Sequence, residues 1–145
     1  DVPYSDKYAS EVKKLADDRV VFTGYISDQS DLSCLYINCF GYVHGHEFGG
    51  TNPTMVNALF LNCQILALKT LFNFEMLKGK ESVFFDKNIS SISSSVDMFE
   101  RRYKILISLN KSYKFPIIYN WEFITDSYIK IFKKLLIPKI TNLNS

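Results

Sequence analysis

The sequence predicts an α/β fold, a Rossmann-like parallel sheet with helices on both faces. Three observations point there. Strand-type and helix-type patterns alternate at short spacing through the first 85 residues, as βαβ units require. Gln64 to Leu68 is continuously apolar, as expected of a strand covered on both faces. A Gly-rich loop, GHEFGGTNP from Gly45 to Pro53, joins the end of one strand pattern to the start of a helix pattern. Parallel sheets bind ligands at the carboxyl ends of their strands, and this loop follows such an end.

The elements follow in order. Tyr4 to Ala16 reads as an amphipathic helix, with Ser5 as cap and Tyr8, Val12 and Leu15 on one side. Arg19 to Gly24 (RVVFTG) reads as a short strand ending at a glycine. A helix begins at Asp28, capped by Ser27 or Asp28, and extends through Cys34 toward Asn38. Phe40 to His44 is the next strand and Pro53 to Leu61 the next helix. Gln64 to Leu68 is a strand, Phe72 to Leu77 a short helix ending near Gly79, and Ser82 to Phe85 the last strand. Two longer helices close the chain, Ile92 to Leu109 and Trp121 to Leu136, with a frayed tail after Pro138. Residues 1–137 are therefore expected to form one domain, and 138–145 a tail.

Composition bounds the function. A chain of 145 residues with 47% hydrophobic content can bury a sizeable core. A formal charge of +2 is too small to imply nucleic acid. Cys34, Cys39 and Cys63 have neither metal nor disulfide spacing and lie in apolar segments, so they read as buried thiols in a reducing compartment. No apolar run reaches the ~18 residues of a membrane span. The chain begins at Asp1 without an initiator Met, which suggests a piece of a longer protein.

The Gly45–Pro53 loop is the main candidate site. Asn52 is a good N-cap and Pro53 fits the first helical position. Free N–H groups at the helix start, together with the helix dipole, favour an anion there. Gly49 and Gly50 let a phosphate approach the backbone without a Cβ in the way. A nucleotide diphosphate is the natural guest. His44, His46 and Glu47 are a weak metal signal, since two histidines at alternate positions and one carboxylate would need one shared face and further ligands.

Four stretches resemble the C-terminal, donor-binding half of a retaining GT-B glycosyltransferase, and most closely the bacterial rhamnosyltransferases of surface polysaccharide synthesis. Arg19 to Gly24 followed by Asp28 resembles the "R-V-x-F-x-G … D" segment that opens this half. Tyr42 to Pro53 (YVHGHEFGGTNP) resembles the "HGH-x-x-GGTNPS" loop. Phe72 to Glu75 (FNFE) resembles "FNRE", and Tyr119 to Ile124 with Tyr128 resembles the closing "Y-S-W-x-x-I … Y" helix. The loop is the most specific of the four.

The resemblance implies a glycosyltransferase whose partners are a nucleotide-sugar donor and a glycan or lipid-linked acceptor. It implies no resident cofactor and no metal, since the nucleotide-sugar is a substrate. Gly49, Gly50, Thr51 and Asn52 would hold the diphosphate, and Gly24, Tyr25 and Ile26 would lie near the base. His46, Glu47, Asn73 and Glu75 would meet the donor sugar. It favours dTDP-rhamnose, with UDP- or GDP-sugars as alternatives. It implies a cytoplasmic site, at the inner face of the membrane where the acceptor is lipid-linked. The N-terminal, acceptor-binding half of a GT-B enzyme has no counterpart in this chain.

Two positions depart from the pattern. The family's ribose-binding Glu falls on Asn57, which can still hydrogen-bond a hydroxyl but without charge assistance. Phe74 stands where the family has a basic residue. Both changes also fit a degenerate, non-catalytic nucleotide- or partner-binding module. The remaining features have bland readings. Trp121, Ile124, Tyr128, Ile131 and Leu135 recur at helical spacing as a packing stripe. Lys130, Lys133, Lys134 and Lys139 suit the helix dipole and solvent, with peripheral membrane contact as the functional alternative. Arg101 and Arg102 read as a solvated face, and the Asn88 and Asn110 sequons carry little weight without a secretion signal.

Overall fold

The computed structural model describes the backbone of residues 6–141 and the side chains of residues 7–136. These fall into two compact units, one up to Leu32 and one from Ser33 onward. The first holds α1 (Asp6–Lys14), an irregular segment, and the start of α2 (Gln29–Asn38). In it Asp28 caps α2, its Oδ1 accepting from Ser30 N at 2.7 Å and Asp31 N at 3.3 Å. The Ser5 cap expected for α1 lies outside the described residues.

The second unit is an α/β layer structure. Strands β1 (Tyr42–His44), β2 (Ile65–Leu68) and β3 (Val83–Phe85) form a parallel sheet in the order β1-β2-β3. Tyr42 pairs with Ile65, and Leu66 pairs with Val83. Helices α3 (Pro53–Phe60) and α4 (Leu71–Met76) make the crossovers; α5 (Ile89–Leu109) and α6 (Trp121–Thr141) follow.

Strand alternation in β2 sorts the core into two faces. Ile65 and Ala67 pack with Met55, Ala58 and Leu59 of α3 and Met76 of α4. Leu66 and Leu68 pack with Val83, Phe85, and Phe99 and Leu106 of α5. All four β2 residues are buried, as the continuous apolar run requires. Gly41 is needed where α5 closes on the sheet, because a Cβ there would lie 2.6 Å from the Phe99 ring.

Each helix that follows a strand is capped by a side chain. Asn52 caps α3, Thr70 caps α4 and Asn88 caps α5. α3 ends in a Schellman turn: Cys63 N donates to Ala58 O and Asn62 N to Leu59 O, with Asn62 at φ 54°. Beyond it, the buried Lys80 ammonium donates to Asn62 Oδ1 and sits 4.5 Å from the Tyr113 ring centroid. Burial pulls the Lys80 pKa down to about 8.

The structure corrects several sequence expectations. Arg19 to Gly24 is not a strand but irregular backbone, with Val20, Val21 and Phe22 exposed. A strand needs a ladder partner, and among the described residues this segment has none. Cys63 is buried, but Cys39 is half-buried and Cys34 exposed. The stripe on α6 is not packed within the described residues: Trp121, Tyr128, Ile131 and Leu135 are exposed, and only Ile124 is half-buried. Tyr8, Val12 and Leu15 of the first unit are exposed as well. The last helix runs past Leu136 to Thr141, into the stretch expected to be tail. Among the described residues, no helix is long and apolar enough to cross a membrane.

Candidate functional site

The loop from Gly45 to Asn52 leaves the carboxyl end of β1 and enters α3. Gly49 takes φ +115°, open to glycine and strained for other residues, and a Cβ there would lie 3.5 Å from His46 Nε2. A Cβ on Gly50 would meet nothing within 4 Å, so its backbone faces open space. Gly49, Gly50 and Thr51 are exposed.

The helix start behaves differently from the sequence expectation. Asn52 Oδ1 accepts from Thr54 N at 3.0 Å and Met55 N at 3.4 Å, and Val56 N donates to Asn52 O. Pro53 has no N–H. The first-turn donors of α3 are therefore consumed by the cap. Donors for an anion must come from the loop itself. Among the described residues no acceptor takes the N–H of Gly49, Gly50, Thr51 or Asn52.

Behind the loop runs a hydrogen-bonded chain that sequence reasoning missed. Thr54 Oγ1 donates to Asn52 Oδ1 at 2.7 Å, Tyr42 Oη lies 2.7 Å from Thr54 Oγ1, and His44 Nδ1 lies 3.1 Å from Tyr42 Oη. The proton positions follow from counting. The Asn52 atom accepting two backbone N–H groups is its oxygen. Thr54 spends its one proton on that oxygen, so Tyr42 donates to Thr54. Tyr42 Oη then accepts from His44, which makes His44 the Nδ1–H tautomer with a bare Nε2. His44 is buried; burial first, and His46 second, hold its pKa below the ordinary value, so the ring is neutral at pH 7. Burial also raises the Tyr42 hydroxyl, which stays protonated as a donor. The signal was present in the sequence: Tyr42 and His44, two apart on a strand, share one face.

The other expected site residues divide by environment. Asn73 is buried, and its Nδ2 donates to His46 O at 3.2 Å and Leu68 O at 2.8 Å. It ties the loop to the end of β2, which makes its amide a positioning group. Glu47 is ion-paired with Lys87, beyond the end of β3. Its carboxylate is engaged rather than free. His46 is exposed, and its ring lies 6.0 Å from that of His44. Glu75 is exposed on α4, and its charge, after burial, raises the Tyr119 hydroxyl. Asn57 is exposed one turn into α3, without a side-chain partner among the described residues, and lines a cleft of about 390 Å³. Gly24, Tyr25 and Ile26 belong to the first unit, where Gly24 is at φ +67° and Tyr25 is exposed. Among the described residues, no group of three or more His, Cys, Asp or Glu could hold a metal ion.

Asn88 and Asn110, the two sequon residues, have structural work. Asn88 Oδ1 accepts from Ser91 N at 2.8 Å. Asn110 is buried, donating to Gln64 Oε1 and Glu81 O and accepting from Glu81 N. Neither comparison with protein-family models nor comparison with curated proteins or solved structures gives a match to this chain.

Proposed function

We propose that this chain is the donor-binding part of a sugar transferase that takes a nucleotide-diphosphate sugar, dTDP-rhamnose being the favoured donor. The observation that carries the reading is the open run of unpaired amides from Gly49 to Asn52 at the carboxyl end of a parallel strand. An anion there meets several N–H donors, glycine backbone without Cβ atoms, and the positive end of the α3 dipole. The likeness of this loop to the rhamnosyltransferase pattern supplies the donor class.

The chemistry is electrostatic. Sugar transfer from such a donor builds negative charge on the leaving diphosphate. Fixed amides aimed at that charge stabilise the transition state without reorganising. Asn57, one turn along α3, offers an amide to the ribose. Asn73 and the Asn52–Thr54–Tyr42–His44 chain hold the loop in place. The acceptor and the closure of the cleft come from a second domain, so residues 1–145 alone bind donor weakly and transfer nothing detectable.

The test is an NMR titration of the ¹⁵N-labelled chain with dTDP, UDP, GDP and dTDP-rhamnose. The expected result is saturable shifts at Gly49, Gly50, Thr51 and Asn57, largest with the thymidine ligands. Shifts of equal size with UDP would keep the transferase and reopen the donor. Ligand-independent spectra, repeated with the full-length protein, would overturn the reading.

A further inference from the structure

We propose that the cleft at the C-terminal end of α3 is a binding platform for an uncharged pyranose residue of a glycan. The cleft has a volume of about 390 Å³, within the usual range for small-molecule sites. Phe60, Phe115, Tyr119 and Trp121 form its apolar surface, and Asn57 and Glu122 supply polar groups. It shares Asn57 with the proposed ribose contact but otherwise stands on side chains away from the loop amides, so Trp121 and Phe60 report on it separately.

The aromatic surface is organised before any ligand arrives. Phe60 meets Phe115 edge-on, with centroids 5.4 Å apart and planes at 86°. Phe115 lies 5.9 Å from Tyr119. Trp121 opens α6, and the turn before it is fixed by Asn120, whose Oδ1 accepts from Glu122 N at 2.8 Å and Phe123 N at 3.2 Å. Yet Trp121 is 80% exposed and Phe60 68%. The Phe60 ring packed on Phe115 and the Trp121 ring on its capped turn are both left in water, which is costly unless something covers them.

The lining chemistry selects the occupant. A pyranose has one face of C–H groups that lies flat on an aromatic ring and a rim of hydroxyls that need donors and acceptors. The cleft offers both: ring faces, the Asn57 amide, which donates and accepts, and the Glu122 carboxylate, which accepts. Among the described residues its lining holds no Lys, Arg or His to pair with a phosphate, and Glu122 repels one. A neutral sugar fits this charge pattern, whereas an anionic ligand does not.

Trp121 is the only tryptophan in the chain, which makes it a built-in reporter. The experiment follows its fluorescence and its indole N–H resonance while the 145-residue chain is titrated with methyl α-L-rhamnopyranoside, methyl α-D-glucopyranoside and methyl β-D-galactopyranoside. Thymidine is the nucleoside control, and a protein dilution series is run alone. The expected result is a saturable change with at least one pyranoside, at a Kd of order 1 mM. Glu122→Gln is expected to weaken it by about threefold to tenfold. Trp121→Ala, read through the Phe60 and Asn57 resonances, is expected to weaken it by more than about tenfold. Both side chains are exposed, so these variants should keep the native amide spectrum, which is checked first. The Gly49 and Gly50 amides should stay unmoved by pyranosides, so failure here and failure of the diphosphate reading show in different resonances. No saturable change with any pyranoside overturns the proposal. So does a response to thymidine alone, which would make the cleft a nucleoside site. A Trp121 signal that moves with protein concentration alone overturns it too, since a second copy would then cover the rings.

Discussion

Two strand-to-helix turns lie at the same edge of the sheet and do opposite things. Between β2 and α4 only Lys69 and Thr70 intervene, and Thr70 caps the helix by accepting from Asn73 N at 3.1 Å. Between β1 and α3 the chain runs from Gly45 to Asn52 before the cap is reached. In α3 the Asn52 side chain takes the N–H groups of Thr54 and Met55. In α4 the Thr70 side chain takes only that of Asn73, and among the described residues no acceptor takes Leu71 N or Phe72 N. Both carry a dipole of the same sense. The two turns differ in their own residues: Lys69 N donates to Phe85 O and Thr70 N to Leu68 O, whereas among the described residues no acceptor takes the N–H of Gly49, Gly50, Thr51 or Asn52. In the proposed reading the inserted glycine-rich residues would supply the donors to the anion, with the α3 dipole behind them.

Asn73 is where the two turns are joined, and its removal should have the largest effect. Asn73→Ala deletes two hydrogen bonds to the carbonyls of His46 and Leu68 in a buried place. The expected loss is about 2–3 kcal/mol of stability. Urea denaturation measures it. If the two turns were independent, amide resonances in the Gly45–Asn52 loop would not move in this variant; the expectation is that they broaden or shift.

Removing each cap sharpens the comparison next. Asn52→Ala is expected to cost about 1–2 kcal/mol and Thr70→Ala about 1 kcal/mol. The difference has a stated source: Asn52 Oδ1 also anchors the Thr54–Tyr42–His44 chain. Asn52→Ala should therefore release Thr54 and Tyr42 and change the His44 tautomer, read in its ring ¹⁵N shifts. Thr70→Ala should leave those shifts alone. Equal costs with unchanged His44 shifts would mean that the chain behind the loop carries no coupling.

How much of this was legible in the sequence follows the range of the forces. Asn52, Pro53 and the buried run of β2 act locally or through a single repeated pattern, and they read correctly. Arg19 to Gly24 has the right residues for a strand, but strands exist only as pairs, and pairing is not local. Trp121 and Tyr128 recur at a packing period, yet period alone does not supply the surface to pack against. For Asn73 the sequence offers only the pattern of its neighbours, which implies a sugar contact. Its burial, which gives the amide to two carbonyls, depends on the meeting of β2 with a distant loop. Lys80 carried no sequence signal at all, since its burial depends on Asn62 and Tyr113.

Away from both turns, Lys80 predicts a pH dependence. Its folded pKa of about 8 lies below the ordinary 10.5, so the unfolded state binds more protons between those values. Stability should rise as pH goes from 8 toward 9, by about 1 kcal/mol at most. Above pH 9 the trend should reverse. Burial raises the Cys63 thiol, and Tyr36 and Tyr113 are pushed up to about 12, so the unfolded chain ionises first there. Lys80→Met should flatten the rise between pH 8 and 9. Denaturation midpoints across that range decide it, and a rise that survives in Lys80→Met would assign the effect to another group.

The smallest effect on stability should come from the most informative loop position. Gly50→Ala adds a methyl that meets nothing within 4 Å, and Gly50 lacks the positive φ that strains Gly49. Its stability should change by less than about 0.5 kcal/mol. Gly49→Ala, at φ +115°, should destabilise by more than about 1 kcal/mol and so cannot separate fold from function. In Gly50→Ala the turn stays intact while the new Cβ stands where a phosphate would approach the amides. If the inserted residues of the longer turn hold the diphosphate, dTDP binding to this variant should fall by about tenfold or more against an unchanged denaturation curve. Unchanged binding would move the anion elsewhere and leave the longer turn, like the shorter one, as a connection only.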